Sequence, residues 1–89
     1  MSDEIWFVKF FAPWCEDCQA NQPEWEKVAS HFRGVINIAM VDVTVDKDLA
    51  KTYNISETPS LIFFGAEKQP VLFSGNITSA PDMVDFAYT

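Results

Sequence analysis

The apolar positions of the chain fall into short dense runs separated by polar turns, and their period changes along the sequence. "IWFVKFF", Ile5 to Phe11, is apolar on both alternating faces except at Lys9. That pattern predicts a strand buried on both sides, as in a parallel-type sheet. Pro13 breaks it. From about Cys15 to Arg33 the period becomes helical: Cys18, Trp25, Val28, Ala29 and Phe32 share one face. Gly34 stands where a C-terminal glycine cap belongs, and Pro23 inside the segment predicts a kink. "VINIAMVDV" (Val35–Val43) reads as a second strand. Thr44 or Asp46 can cap a short helix through Leu49, Ala50 and Tyr53. "SETPS" (Ser56–Ser60) is a turn around Pro59, "LIFF" (Leu61–Phe64) a third strand and Gly65–Gln69 a turn. "VLFS" (Val71–Ser74) is a fourth strand, antiparallel to the third because the link is of hairpin length. Ser79 with Asp82 gives a capping-box-like start to a last helix that ends near Ala87.

The predicted order is β-α-β-α-β-β-α. A helix after each of the first two strands implies right-handed parallel crossovers, and the closing hairpin adds antiparallel pairing. The expected architecture is a three-layer α/β domain with a mixed sheet of four strands. Cys15 falls where the C-terminal end of a strand meets a helix N-terminus, the place where open α/β sheets put their chemistry.

Composition narrows the function. The 89 residues suffice for one small domain, and 48% hydrophobic with 15% aromatic residues is globular rather than disordered. A formal net charge of -7 argues against nucleic acid or an anionic membrane as partner, since both need clustered Lys and Arg. It suits a protein acting on other proteins. No apolar run reaches the ~18 residues of a membrane span. "MSDE" at the start has no signal-peptide character, although a signal removed earlier or a domain excised from a longer chain leaves the same absence.

The two cysteines, Cys15 and Cys18, carry the candidate chemistry. A disulfide closing so short a loop constrains the unfolded chain little, so the pair is catalytic or metal-binding rather than a staple. Structural zinc needs four ligands; the chain offers two cysteines and one histidine, His31, at the far end of the helix. No metal is expected. Cys15 at a helix N-terminus faces unpaired N–H groups and the positive end of the dipole, both of which stabilise a thiolate. Cys18, one turn inside, is expected to be buried. Sequential attack follows: Cys15 on a substrate disulfide, then Cys18 on the mixed disulfide.

"WFVKFFAPWCEDC" resembles the active-site strand and loop of the thioredoxin superfamily, above all the catalytic domains of protein disulfide isomerases, where Ala-Pro-Trp-Cys-x-x-Cys is typical. "QPEWEKVA" (Gln22–Ala29) and "NIAMVDVT" (Asn37–Thr44) are similar to the isomerase type, including the transmembrane thioredoxin-related proteins. Pro23 matches the kinking proline, and "LAKTYNISETPSLIFF" (Leu49–Phe64) resembles the segment leading to the family's cis-proline, here Pro59. The resemblance implies a thioredoxin-like α/β/α sandwich over residues 1–89, lacking the opening strand and helix of a full domain and excised from a longer protein. It implies a thiol–disulfide oxidoreductase on protein substrates with thiols or disulfides, needing no cofactor. Trp14, Thr58 and Pro59 would shape the substrate groove, a cis Thr58–Pro59 bond exposing backbone groups for an extended substrate strand. The domain is expected to be a monomer without membrane contact, in the lumen of the endoplasmic reticulum, with the cytoplasm as alternative. The sequons Asn54-Ile55-Ser56 and Asn76-Ile77-Thr78 permit secretory-pathway life.

Three departures bear on the chemistry. The family's buried acid, six residues before the first cysteine, is Lys9 here. The arginine usual after the last strand's glycine is absent, since Gly75 precedes Asn76 and Ile77. Glu16-Asp17 replaces the usual Gly-His or Gly-Pro. A helix N-terminus favours an anion by about 0.3–1 kcal/mol. An exposed carboxylate ~6 Å away opposes it by roughly 0.7 kcal/mol, so Glu16 and Asp17 offset much of the helix effect and push the pair toward reduction. Glu57 adds a third acid to the rim. Lys9 has two readings: its ammonium reaches the cysteines and favours a thiolate, or its stem packs while its head escapes to solvent. The competing functional readings are a substrate-binding or scaffold module with an attenuated redox pair, and a cytosolic thioredoxin-like reductant.

Overall fold

The computed structural model of the chain describes residues 5–65 and 70–88. The elements run β1 (Trp6–Phe11), α1 (Glu16–His31), β2 (Asn37–Asp42), α2 (Lys47–Thr52), β3 (Ser60–Phe64), β4 (Pro70–Leu72) and α3 (Ala80–Tyr88). This is the order expected from the sequence. One mixed sheet of four strands has the order β2-β1-β3-β4. β1 pairs parallel with β2 and antiparallel with β3, which pairs antiparallel with β4.

The expectation of a second parallel crossover is overturned. β2 and β1 end side by side, Asp42 opposite Phe11, and β3 starts at that same end, Ser60 opposite Phe10. A strand of this length covers about 20 Å, whereas the two turns of α2 rise only about 9 Å. The chain therefore never crosses to the other end, and β3 runs back antiparallel. The predicted bounds also tighten. Val35 belongs to the turn after α1, its N–H donating to Phe32 O (2.8 Å), so β2 starts at Asn37. Gly34 takes φ +79° in that turn, a conformation that favours glycine. Asp46 is the N-cap of α2 but makes no side-chain capping bond. β4 is exposed and stops at Leu72. Apart from Gly65, the predicted turn Gly65–Gln69 lies outside the described residues.

The alternation of β1 builds two cores. Phe7 points to the layer of α1 and α3, where it joins Trp25, Val28, Phe32, Leu61 and Met83. Its ring packs against Trp25 at 5.1 Å and against Phe63 and Phe86 at 5.9 Å each. Val8 and Phe10 point to the opposite face and pack with Ile62, Tyr53 and Ile55 near α2. Three layers result. Asn21, wholly buried on the inner face of α1, ties that helix to the chain before α3: its amide donates to Ile77 O and to Met83 Sδ (3.8 Å). Glu24 Oε1 accepts from Ala80 N (3.2 Å) at the start of α3, and Ser79 Oγ accepts from Asp82 N (3.3 Å), half of the expected capping box.

Phe7 is 0% exposed at the meeting point of the sheet with α1 and α3. Phe7→Ala should therefore destabilise the domain by about 3–5 kcal/mol, read as a fall in the urea midpoint with unchanged slope.

Candidate active site

The site forms where β1 gives way to α1. After Phe11 the chain turns through Ala12, Pro13 and Trp14, with Cys15 N donating to Ala12 O (3.1 Å). Cys15 is the N-cap of α1 in an extended conformation, and its Sγ accepts from Cys18 N at 3.0 Å. A sulfur thus sits where Ser or Asp commonly caps a helix. Cys15 and Cys18 are joined by a disulfide, their Cα atoms 5.2 Å apart. Cys15 is half-buried and Cys18 only 4% exposed, as the helical spacing predicts.

The remaining expected residues fall around this pair unequally. Trp14 is 74% exposed beside Cys15 and lies outside the core. Thr58–Pro59 is a cis bond and both residues are half-buried. They immediately precede Ser60, whose partner in β1 is Phe10, so the proline turn and the cysteine loop leave the same end of the sheet. Glu16 and Asp17 are exposed in the first turn of α1, where their charges favour the helix dipole. Glu57 is exposed in the turn before Thr58, its carbonyl accepting from Ser60 Oγ (2.6 Å). His31 ends α1 and bonds Tyr88 through Nε2 at 3.0 Å, far along the helix from the cysteines.

Lys9 overturns the reading in which its head escapes to solvent. It is 1% exposed. Its ammonium donates to Cys18 O (3.1 Å) and to Gln22 Oε1 (2.7 Å). β1 is flanked by a strand on each side, so a side chain on the α1 face of its centre meets the underside of α1 rather than water. Desolvation lowers the Lys9 pKa from 10.5 to about 8, the Glu26 carboxylate acting weakly in the other direction. Gln22 connects the two, since its Nε2 donates to Glu26 Oε2 at 3.2 Å. Lys9 and Cys18 line one cavity of about 170 Å³ with Phe11, Ala12, Pro13 and Met40 among its walls.

Sequence reasoning missed Asn21 and Gln22. Asn21 was visible in principle: it lies three residues after Cys18 and four before Trp25, and so on the buried face. Gln22 sits beside that face and gives no such sign. Among the described residues no three His, Cys, Asp or Glu side chains gather as a metal site would require, and no helix is long and apolar enough to cross a membrane.

The family model described as Thioredoxin matches residues 1–87. The chain is 40% identical over 79 residues to a protein disulfide-isomerase A6 homolog of Caenorhabditis elegans, covering 88% of this chain and 18% of that protein. It is 37% identical over 87 residues to protein disulfide-isomerase 2-3 of Arabidopsis thaliana, covering 98% of this chain and 20% of that one. The crystal structure of the J-Trx1 fragment of ERdj5 superposes with a TM-score of 0.89 at 30% identity, over 97% of this chain and 42% of that one. The chain spans about a fifth of the length of these two isomerases.

The buried cation has a consequence for stability. Because the folded pKa of Lys9 lies below the unfolded value, the unfolded chain binds the extra proton between about pH 8 and 10.5, and stability rises with pH through that window. Below it, the buried charge costs about 3 kcal/mol. Lys9→Met should therefore make the oxidised domain more stable at pH 7. The difference between the two proteins, read from urea midpoints, should shrink as pH rises to about 10.5. Cysteine pair, helix cap and a family match over residues 1–87 together place the chain in the thioredoxin family.

Proposed function

We propose that the domain is a thiol–disulfide oxidoreductase of protein disulfide-isomerase type acting on protein substrates, with Cys15 as the attacking sulfur and Cys18 as the resolving one. The observation that carries this reading is the asymmetry of the pair: Cys15 half-buried at the helix cap, Cys18 4% exposed behind it. In the reduced form the Cys15 thiolate attacks one sulfur of a substrate disulfide, and the electron pair leaves on the other sulfur. The Cys18 thiolate then attacks Cys15 Sγ, closing the Cys15–Cys18 disulfide and expelling the second substrate thiolate. The substrate gains two electrons and the pair loses two; the reverse sequence oxidises a substrate dithiol. The N–H of Cys18, already directed at Cys15 Sγ, is in place to hold the attacking thiolate. No cofactor takes part.

Trp14 stands exposed beside the attacking sulfur, and Thr58 and Pro59 leave the sheet at the same end, so a substrate strand lies between them. Glu16 and Asp17 oppose the Cys15 thiolate, stabilise the reduced form less, and set the direction toward reduction. We read residues 1–89 as one monomeric thioredoxin-like unit of a longer protein, working in the lumen of the endoplasmic reticulum. Its likeness to disulfide isomerases and the exposed Asn54 and Asn76 of its two sequons support that placement.

Equilibration with glutathione tests activity and direction together. The wild type should reduce insulin, Cys15→Ser should fall to background, and the wild-type potential should lie below the roughly −180 mV of protein disulfide isomerase. Background activity in the wild type would leave a substrate-binding module instead. The double change Glu16→Gln with Asp17→Asn should move the potential about 30 mV toward the oxidising side, since two carboxylates of roughly 0.7 kcal/mol each are removed. A potential that stays in place would remove both acids from the tuning.

A further inference from the structure

We propose that Asn76 is the N-glycan attachment site of the domain, taking an oligosaccharide from a lipid-pyrophosphate donor, and that Asn54, in the other sequon, is not. The inference rests on the lumenal placement proposed above and names the residue that this compartment modifies. Both triplets satisfy the pattern Asn-x-Ser/Thr with x other than proline, and both asparagines are exposed. Their local geometry separates them. Asn76-Ile77-Thr78 lies in the loop between β4 and α3, outside any helix or strand. Asn76 Oδ1 accepts from Thr78 N (2.9 Å) and from Thr78 Oγ1 (2.6 Å). The hydroxyl that the pattern requires is thus bonded to the very carboxamide that is modified. Two donors on its oxygen favour the deprotonated carboxamide and so make the Nδ2 proton easier to remove. Among the described residues Nδ2 itself has no acceptor, so it is free for the incoming sugar.

Both bonds join residues two apart, so a nascent chain forms them before the domain folds. The fold then keeps the site outside. Asn21 Nδ2 donates to Ile77 O, and Ile77 packs against the core beside α1 while Asn76 stays exposed. Asn54-Ile55-Ser56 is tied instead into the end of α2. Asn54 takes φ +54°, its N–H donates to Lys51 O (3.1 Å), and Ile55 N donates to Ala50 O (2.9 Å). Among the described residues the Ser56 hydroxyl makes no bond to Asn54. The second triplet therefore offers an asparagine locked in a helix-closing turn, without the hydroxyl on its carboxamide. In the transfer itself an N–C bond forms between Asn76 Nδ2 and the anomeric carbon of the sugar. The bond from that carbon to the phosphate oxygen breaks, its electron pair leaving on the lipid pyrophosphate. The Nδ2 proton passes to a base of the transferase.

The test sends the 89-residue chain, behind a cleavable signal peptide, through the secretory pathway of cultured eukaryotic cells. Gel migration is compared before and after treatment with peptide N-glycosidase, and the site, left as Asp on release, is located by mass spectrometry. The wild type and Ser56→Ala should each carry one glycan, at position 76. Asn76→Gln and Thr78→Val should lose the shift and migrate with the enzyme-treated wild type. Thr78→Ser, which keeps the hydroxyl, should retain it, so a loss confined to Thr78→Val reports the hydroxyl rather than a disturbed loop. An unmodified wild type, equal occupancy of the two sites, or a glycan on Asn54 in preference overturns the proposal. The lumenal placement is judged separately, on the protein isolated from its own cells. If that protein is unmodified while the secreted chain is glycosylated at Asn76, the placement fails and the assignment of the site stands.

Discussion

The strand Trp6–Phe11 is hydrogen-bonded on both edges and covered on both faces, and the rest of the domain is positioned from it. Its odd positions serve α1 and α3, its even positions the α2 side, and its C-terminal end delivers the cysteine loop. This double confinement gives Phe7 its place among three aromatic rings. It also removes every route by which Lys9 could lay its stem on the surface and keep its head in water. An edge strand would have offered one. The lysine is held at the centre, and its charge must be answered within the protein.

That confinement puts the two sulfurs in different fields. Cys15 meets the helix N-terminus and two exposed carboxylates, contributions that are each small and screened by water and salt. Cys18 shares a cavity with Lys9, whose ammonium donates to the Cys18 carbonyl. The surface acids thus stand on the Cys15 side of the pair, whereas the buried cation stands on the Cys18 side. A single description of the pair as acidic or basic misses this division.

Most of the architecture was legible in the sequence because it rests on local signals. Pro13 and the change of period mark the strand-to-helix junction, Ser79 and Asp82 mark the start of α3, and the short link gives the antiparallel β3–β4 pair. The cis bond at Pro59 came through family resemblance, since nothing in "SETPS" requires it. The direction of β3 was misread because a helix between strands suggests a crossover, and only its length against that of β2 shows that it cannot reach. The fate of Lys9 was split between two readings because periodicity shows that a position faces inward but not whether partners wait there. Those partners are a backbone carbonyl, which every residue has, and Gln22, which lies off the apolar face.

Gln22 makes the charge at position 9 coherent with the rest of the chain. An ammonium needs acceptors, and a buried one needs an opposite charge as well. The carboxylate of Glu26 lies toward the surface, where it keeps its own hydration. A carboxamide is the side chain that accepts on one side and donates on the other, and Gln22 does both: its Oε1 takes the Lys9 proton donor and its Nε2 gives to Glu26 Oε2. The amide dipole thus carries the carboxylate's influence inward without bringing the carboxylate itself out of water. A carboxylate brought to Gln22's position would close a direct ion pair and fix Lys9 in its charged form. The neutral bridge leaves Lys9 stabilised enough to be buried while desolvation keeps its pKa lowered to about 8.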